Sequence, residues 1–364
     1  MNEIKPYRID VPQAELDDLR ERLERVRWAD EVEGAGWDYG SPVDELKSQV
    51  DYWKSSYDWR IWEARLNEYP QFTTTIDGQN IHFLQVKSPQ ADALPLILTH
   101  GWPGSVAEFL DIIEPLTDPV EGDLAFDLVI PSLPGFGFSG PTSSRGWSPH
   151  RIAAAWAELM RMLGYERYGA VGNDWGSDIA PELGRVAPAA VVGAHVTQIF
   201  SNIDPAELDP NSPEERAAIE GLEWFQQNMD AYDYLQSQQP QSLAHALTDS
   251  PAGLLGWHNL IYRGGLDLDF VLTNVMIHWL TRTVASAMRI YYENGKSTRP
   301  TEPTTVPLGL AQFRDDTQAI RRFAERDHAN IVSWNVYDTG GHFAAHQEPD
   351  LLVNDLRTFF TQLD

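Results

Sequence analysis

Tyr168–Gly176, YGAVGNDWG, sets Asp174 between two glycines, Gly172 and Gly176, each two positions away. An apolar run, that spacing and a following helix make the pattern of a nucleophile elbow, a strand-to-helix turn so tight that its neighbours must be small. The side chain at its tip projects above the sheet, and here it is a carboxylate. No G-x-S-x-G occurs in the chain, which disfavours an ordinary serine esterase or lipase. Asp is also a common helix cap, so the pentapeptide alone supports a nucleophile and a cap about equally. As a nucleophile, a carboxylate suits attack on a saturated carbon. It would be left as an ester whose carbonyl water can hydrolyse, where a serine would end as an inert ether.

Two further stretches stand in the order such a site needs. Thr99–Ser105, THGWPGS, follows the strand-like run Leu94–Thr99. By itself it reads as a turn, but ahead of the elbow it can offer the backbone N–H of Trp102 to an oxyanion, with that of Trp175 as the second donor. Tyr337–Pro349, YDTGGHFAAHQEP, puts His342 after the last strand-like run, where the chain order nucleophile, acid, base places the base. His342 and His346 have the spacing of two metal ligands on a helix. The residue after His342 is Phe343 rather than the Glu of a zinc protease, and neither a metal nor an organic cofactor is expected. Gly135–Gly140, GFGFSG, matches a dinucleotide fingerprint, but the loop-like PTSSRGW follows it instead of a helix. A flexible loop explains it better.

The elements that position these residues show in the rhythm of the chain. Residues 1–75 are rich in Trp, Arg and Glu, with helices expected over Pro12–Val26 and Val43–Tyr57, a helical continuation at Trp59–Asn67 and a turn-rich Gly34–Gly40. Strand-like runs then alternate with helical stretches: Ile81–Val86, Leu94–Thr99, Leu124–Pro131, Arg167–Gly172 and Val191–Gln198. That alternation predicts a parallel sheet covered on both faces. From 202 to 300 no convincing strand occurs, and helices are expected at Pro213–Met229, Ser242–Leu247 and Phe270–Asn294. Strands at Thr305–Leu310 and Asn330–Tyr337 and a helix at Leu351–Leu363 close the chain. The economical division is an N-terminal segment (1–75), a core in two parts (76–201 and 301–364) and a helical lid (202–300).

Of the 364 residues, 42% are hydrophobic and 22% charged, and 13 Trp supply large apolar surfaces, so the chain is globular rather than disordered. Its 27 basic against 54 acidic residues give −27, a field that repels nucleic acid and anionic membranes. Cysteine is absent, which removes thiolate chemistry. No signal-like start or long apolar run is present, so a soluble cytoplasmic protein is expected.

In combination, HGWPGS, SLPGFGFSGP, GNDWGS, LTDSPAGL, TNVMIHW and GGHFAAHQEP resemble the microsomal-type epoxide hydrolases of the α/β-hydrolase superfamily. PYRID, WDYG and QFTT extend the likeness through residues 1–75. The chain departs at the elbow, where the family usually has GGDWG and Asn173 stands here, and a soluble relative without the membrane anchor of microsomal members is expected. The resemblance implies an α/β-hydrolase fold, with a mostly parallel sheet, a helical lid insertion and a helical, meandering N-terminal segment. It also implies hydrolysis of a small hydrophobic epoxide to a diol, as a monomer or homodimer. It makes Asp174 the nucleophile, His342 the base and Asp316 its carboxylate partner, with Asp315 and then Asp204 as rivals. It assigns Tyr232 and Tyr291 to the departing oxygen, with Tyr234 and Tyr292 as alternatives; a phenol can protonate an alkoxide without being ionised at neutral pH. Haloalkane dehalogenases share an Asp elbow, but a halide needs no proton, and they typically carry Asn where Trp102 stands. A non-catalytic ligand-binding protein on the same scaffold is the other alternative. Trp102 and Trp175 suggest an aromatic-lined pocket, and Trp224 and Phe225 are lid candidates for selectivity.

Overall fold

The sheet grows from short β-branched runs whose alternate residues serve opposite layers. In the computed structural model, which describes all residues except 1–2, 202, 204–206, 210, 264, 299 and 364, nine strands form one sheet. They are β1 (Lys5–Tyr7), β2 (Gln71–Ile76), β3 (Gln79–Val86), β4 (Leu94–Thr99), β5 (Phe126–Pro131), β6 (Tyr168–Gly172), β7 (Val191–Val196), β8 (Leu308–Gln312) and β9 (Ile331–Val336). Their order is β1-β2-β3-β5-β4-β6-β7-β8-β9, with β1, β2, β3 and β5 paired antiparallel and every pair from β5 to β9 parallel. Leu96 and Leu98 of β4 join one apolar layer with Leu356, Phe359 and Phe360 of the C-terminal helix Pro349–Thr361. Ile97 between them faces the other layer, with Trp156, Leu159, Ile179 and Leu183. Each such buried side chain stabilises the fold by about 1.5–3 kcal/mol.

The parallel core is the mostly parallel α/β-hydrolase arrangement expected. Two strands are additions to it. β1 is three residues containing a proline, and β2, QFTTTI, is largely polar, so neither carries a strong apolar alternation. The N-terminal segment therefore adds two strands to the sheet as well as its helices Gln13–Glu24, Val43–Ser55 and Trp59–Leu66.

Between β7 and β8 the described chain is helical: Pro213–Asn228, Ala231–Gln238, Pro240–Asp249, Pro251–His258, Leu268–Leu280 and Val284–Lys296. The single helix expected over Phe270–Asn294 is two, broken where Arg282 takes a φ of 57° between two threonines. A β-branched pair flanking a left-handed residue cannot continue a helix. The helices beginning at Ala231 and Pro251 were not expected from their short apolar patterns. Tyr52 donates to Asp269 at 2.8 Å and Tyr57 pairs with Thr273 at 3.0 Å, so the N-terminal helices fasten this insertion to the core. Gly135–Gly140 is no free surface loop: most of it is buried, Gly137 N–H donates to Thr283 Oγ1 at 3.1 Å, and Ser286 Oγ donates to the Gly135 carbonyl. No described helix is long and apolar enough to cross a membrane.

Candidate active site

Strand order reverses around β4, which lies between β5 and β6, and in open parallel sheets the crevice beyond the strand C-termini at such a reversal is where ligands bind. The motif residues emerge there. Trp102 follows β4, Asp174 follows β6, Gln198 follows β7, Asp316 follows β8 and His342 follows β9.

The turn at Asp174 is as tight as its sequence requires. A Cβ on Gly172 would lie 1.9 Å from the Gly176 carbonyl oxygen, and one on Gly176 would lie 1.9 Å from that of Thr99. Asp174 itself has φ 52° and ψ −120°, a strained conformation for an L residue, and the helix Trp175–Val186 begins directly after it. Its side chain makes no capping bond, so the plain helix-cap reading does not describe it. Instead the Trp102 N–H donates to Asp174 Oδ1 at 2.7 Å, and the Trp175 N–H also reaches the carboxylate. Burial pushes the Asp174 carboxyl above its usual range, while His342 and these two N–H groups oppose the shift.

His342 Nε2 stands 3.7 Å from Asp174 Oδ2, and its Nδ1 lies 3.1 Å from Asp316 Oδ1. The Asp316 side chain is 8% exposed; that of Asp315 is 63% exposed and turned to Arg314. Asp204, the other rival, lies outside the described residues. Burial works against the His342 imidazolium, but the neighbouring charge of Asp316, and then that of Asp174, outweighs it and pushes the group up to about 9. Asp316 is held below its ordinary range: burial opposes this, but His342, Gln198 and the Thr317 N–H prevail. His346 does not join His342. It hydrogen-bonds Asp111 at 2.7 Å and stacks on Phe270, so the two histidines have separate partners.

Aromatic rings from the helical insertion cover the carboxylate. Tyr232 stacks on Trp102 with ring centroids 5.1 Å apart, and Tyr291 sets its edge to Trp175 at 4.8 Å. The two tyrosine rings are 6.0 Å from each other. Burial, then the charge of Asp174, raises both phenols well above the ordinary tyrosine range, so both carry their proton at neutral pH. Tyr234 and Tyr292 are exposed. Phe225 packs edge-on to Tyr232, whereas Trp224 is half in solvent.

Several further residues at the site were not singled out from the sequence. Gln198 Oε1 accepts from the Asp174 N–H at 2.8 Å, and its amide donates to Asp316, tying elbow to acid. Tyr262 and His278, from the helical insertion, both donate to the Pro103 carbonyl, at 2.9 and 3.1 Å, and so brace the loop that carries the Trp102 N–H. Glu108 is buried and accepts from Asn173 Nδ2 at 2.8 Å. In the sequence Glu108 shows as one acid inside the apolar run VAEFL, and His278 lies within TNVMIHW.

This geometry defines an α/β hydrolase with an aspartate at the elbow, and the family model for the alpha/beta hydrolase fold matches residues 95–349. The model for the epoxide hydrolase N terminus matches residues 4–109. A relative from Stigmatella aurantiaca is 41% identical over 99% of this chain and 85% of its own length. Epoxide hydrolase 1 of Sus scrofa is 33% identical over 99% of this chain and 89% of its own. The crystal structure of juvenile hormone epoxide hydrolase from Bombyx mori superposes with a TM-score of 0.92 at 28% identity, covering 100% of this chain and 95% of that one. Aspergillus niger epoxide hydrolase does so with a TM-score of 0.90 at 31% identity, covering 100% and 97%. The chain belongs to the epoxide hydrolase family.

Proposed function

We propose that the chain hydrolyses small hydrophobic epoxides to vicinal diols through an ester on Asp174. The observation that carries this reading is the placement of one carboxylate: one oxygen on the Trp102 N–H, the other facing His342 Nε2, and the two phenols of Tyr232 and Tyr291 beside it. Residues 202–300 serve as the lid and residues 1–75 as its brace on the core.

In the first step Asp174 attacks an epoxide carbon. A Cγ–O–C ester linkage forms, the ring C–O bond breaks, and Tyr232 or Tyr291 gives its proton to the departing oxygen. The tyrosinate left behind is the stronger base, so it takes the proton of the His342 imidazolium. Esterification removes the Asp174 charge that helped hold that proton, which favours the transfer. Neutral His342, oriented by Asp316, then takes a proton from water as the water oxygen adds to Cγ. The oxyanion is met by the N–H groups of Trp102 and Trp175. Collapse expels the diol oxygen, which is protonated by His342. The Asp174 carboxyl finally passes its proton to His342, restoring the resting ion pair. A departing halide would leave both phenols without a task, so the site favours an epoxide over a haloalkane.

The test is the His342→Gln variant, which keeps the nucleophile and removes the base. Incubated with styrene oxide, it is expected to gain one substrate mass on the peptide containing Asp174 and to turn over about 10³-fold more slowly than wild type. Slow turnover with no adduct on that peptide would refute the ester route.

A further inference from the structure

A buried carboxyl at the site has no part in the steps above. Glu108 sits in the helical turn Val106–Phe109, directly after the loop that carries the Trp102 N–H, and is 1% exposed. Burying a carboxyl without partners is costly, yet only Oε1 is engaged, by Asn173 Nδ2 at 2.8 Å. Oε2 has no hydrogen-bond partner among the described residues, and neither has His342 Nε2. The charges of His342, Asp174 and Asp316 all reach Glu108.

The bonds between these groups form a chain with one gap. Asn173 Oδ1 accepts from Gln198 Nε2 at 2.8 Å, Gln198 Nε2 also donates to Asp316 Oδ2, and Asp316 Oδ1 meets His342 Nδ1 at 3.1 Å. It starts at Glu108 and ends at His342, and its two free ends are Glu108 Oε2 and His342 Nε2. Asn173, where the elbow departs from GGDWG, is the link a glycine could not make. We propose that Glu108 Oε2 and His342 Nε2 together hold the water that hydrolyses the Asp174 ester.

This rests on the ester reading above and extends it. A buried water is stable where two or more polar groups converge on it. Burial pushes the Glu108 carboxyl up to about 8, so it is neutral at neutral pH and adds no third negative charge. With Oε1 accepting from Asn173, its proton lies on Oε2 and is donated to one lone pair of the water. The other lone pair adds to Cγ, and one water proton passes to His342. Glu108 neither gains nor loses a proton.

The experiment compares wild type, Glu108→Leu, Glu108→Gln and Asn173→Gly with styrene oxide, by steady-state kinetics and by quenched single turnovers that quantify the Asp174 ester. For Glu108→Leu the expected result is a kcat about 10- to 100-fold lower, KM lower in proportion, kcat/KM nearly unchanged and the ester as the dominant enzyme form. Glu108→Gln keeps a donor at the same place and is expected to recover most of the lost kcat. Asn173→Gly frees the carboxyl and shows a smaller split of the same sign, which keeps the proposal testable if the leucine variant fails to fold. Equal losses of kcat and kcat/KM in Glu108→Leu and Asn173→Gly would mark a structural role and overturn it. So would unchanged kinetics in both, or no recovery in Glu108→Gln. No ester in wild type would instead bring down the ester reading, and this proposal with it.

Discussion

Two histidine–aspartate pairs, one wholly buried and one at the crevice, are built for opposite purposes. His195 of β7 meets Asp355 of the C-terminal helix at 2.7 Å, with both side chains wholly buried. The second Asp355 oxygen accepts from Asn335 and Tyr337, and Phe359 sets its ring edge-on to His195. His342 and Asp316 stand on loops at the sheet's C-terminal edge, 3.1 Å apart, and Nε2 of that histidine faces a second carboxylate at 3.7 Å. The same two residue types give a structural tie where both carboxylate oxygens are engaged, one by His195 and the other by Asn335 and Tyr337. At the crevice, where one nitrogen is left open toward Asp174, they give what the proposed mechanism uses as its base.

Exchanging the acids should separate these purposes. Asp316→Asn is expected to slow turnover by about 10²–10⁴-fold, because the imidazole loses its orientation and the support of its charged form. Its unfolding midpoint should change little. Asp355→Asn is expected to do the reverse. Breaking a fully buried pair destabilises by about 3 kcal/mol or more, while kcat of the folded enzyme stays near wild type. Paired denaturation and kinetic measurements read both; a Asp355→Asn enzyme that is stable but slow would collapse the distinction.

The phenols give the next largest effect. Tyr232→Phe and Tyr291→Phe should each slow ester formation by about tenfold and the double variant by 10²-fold or more, within the range of general acid catalysis. Hydrolysis of a preformed ester should be spared, so rapid-quench kinetics will show the ester failing to form rather than accumulating.

The smallest effect is on pH dependence. Ester formation needs the ionised Asp174, whose pKa is raised by burial, so its rate should fall on acidification at a higher pH than an ordinary aspartate would give. His342→Gln removes a positive charge that favours the anion and should move that limb to higher pH still. A limb that stays in place in this variant would mean that His342 and Asp174 are not coupled in the resting enzyme.

How much of this was legible in the sequence depended on whether a feature is local. The elbow and the HGWPG loop impose tight turns that only particular residues satisfy, so their spacing and chain order singled out Asp174, Trp102, Trp175 and His342 as candidates. Asp316 and the two tyrosines came only through resemblance, since a loop carboxylate and a helical tyrosine look the same whether or not they face a pocket. The structure separates Asp316 from exposed Asp315, and Tyr232 and Tyr291 from exposed Tyr234 and Tyr292. Gln198, Tyr262 and His278 acquire their places only when distant strands and helices meet. In the fold, the apolar β4 to β9 announced themselves, while polar β2 and the break at Arg282 did not, because pairing and packing override weak local preference.

The most direct test of the account is a single turnover of wild-type enzyme, in excess over styrene oxide, in ¹⁸O-water, with mass analysis of the diol and of the peptide containing Asp174. The account predicts an unlabelled first diol and ¹⁸O in the Asp174 carboxylate, because the oxygen delivered to the substrate comes from the protein and water replaces it. A labelled first diol with an unlabelled Asp174 would mean that water attacks the epoxide directly, and would contradict it.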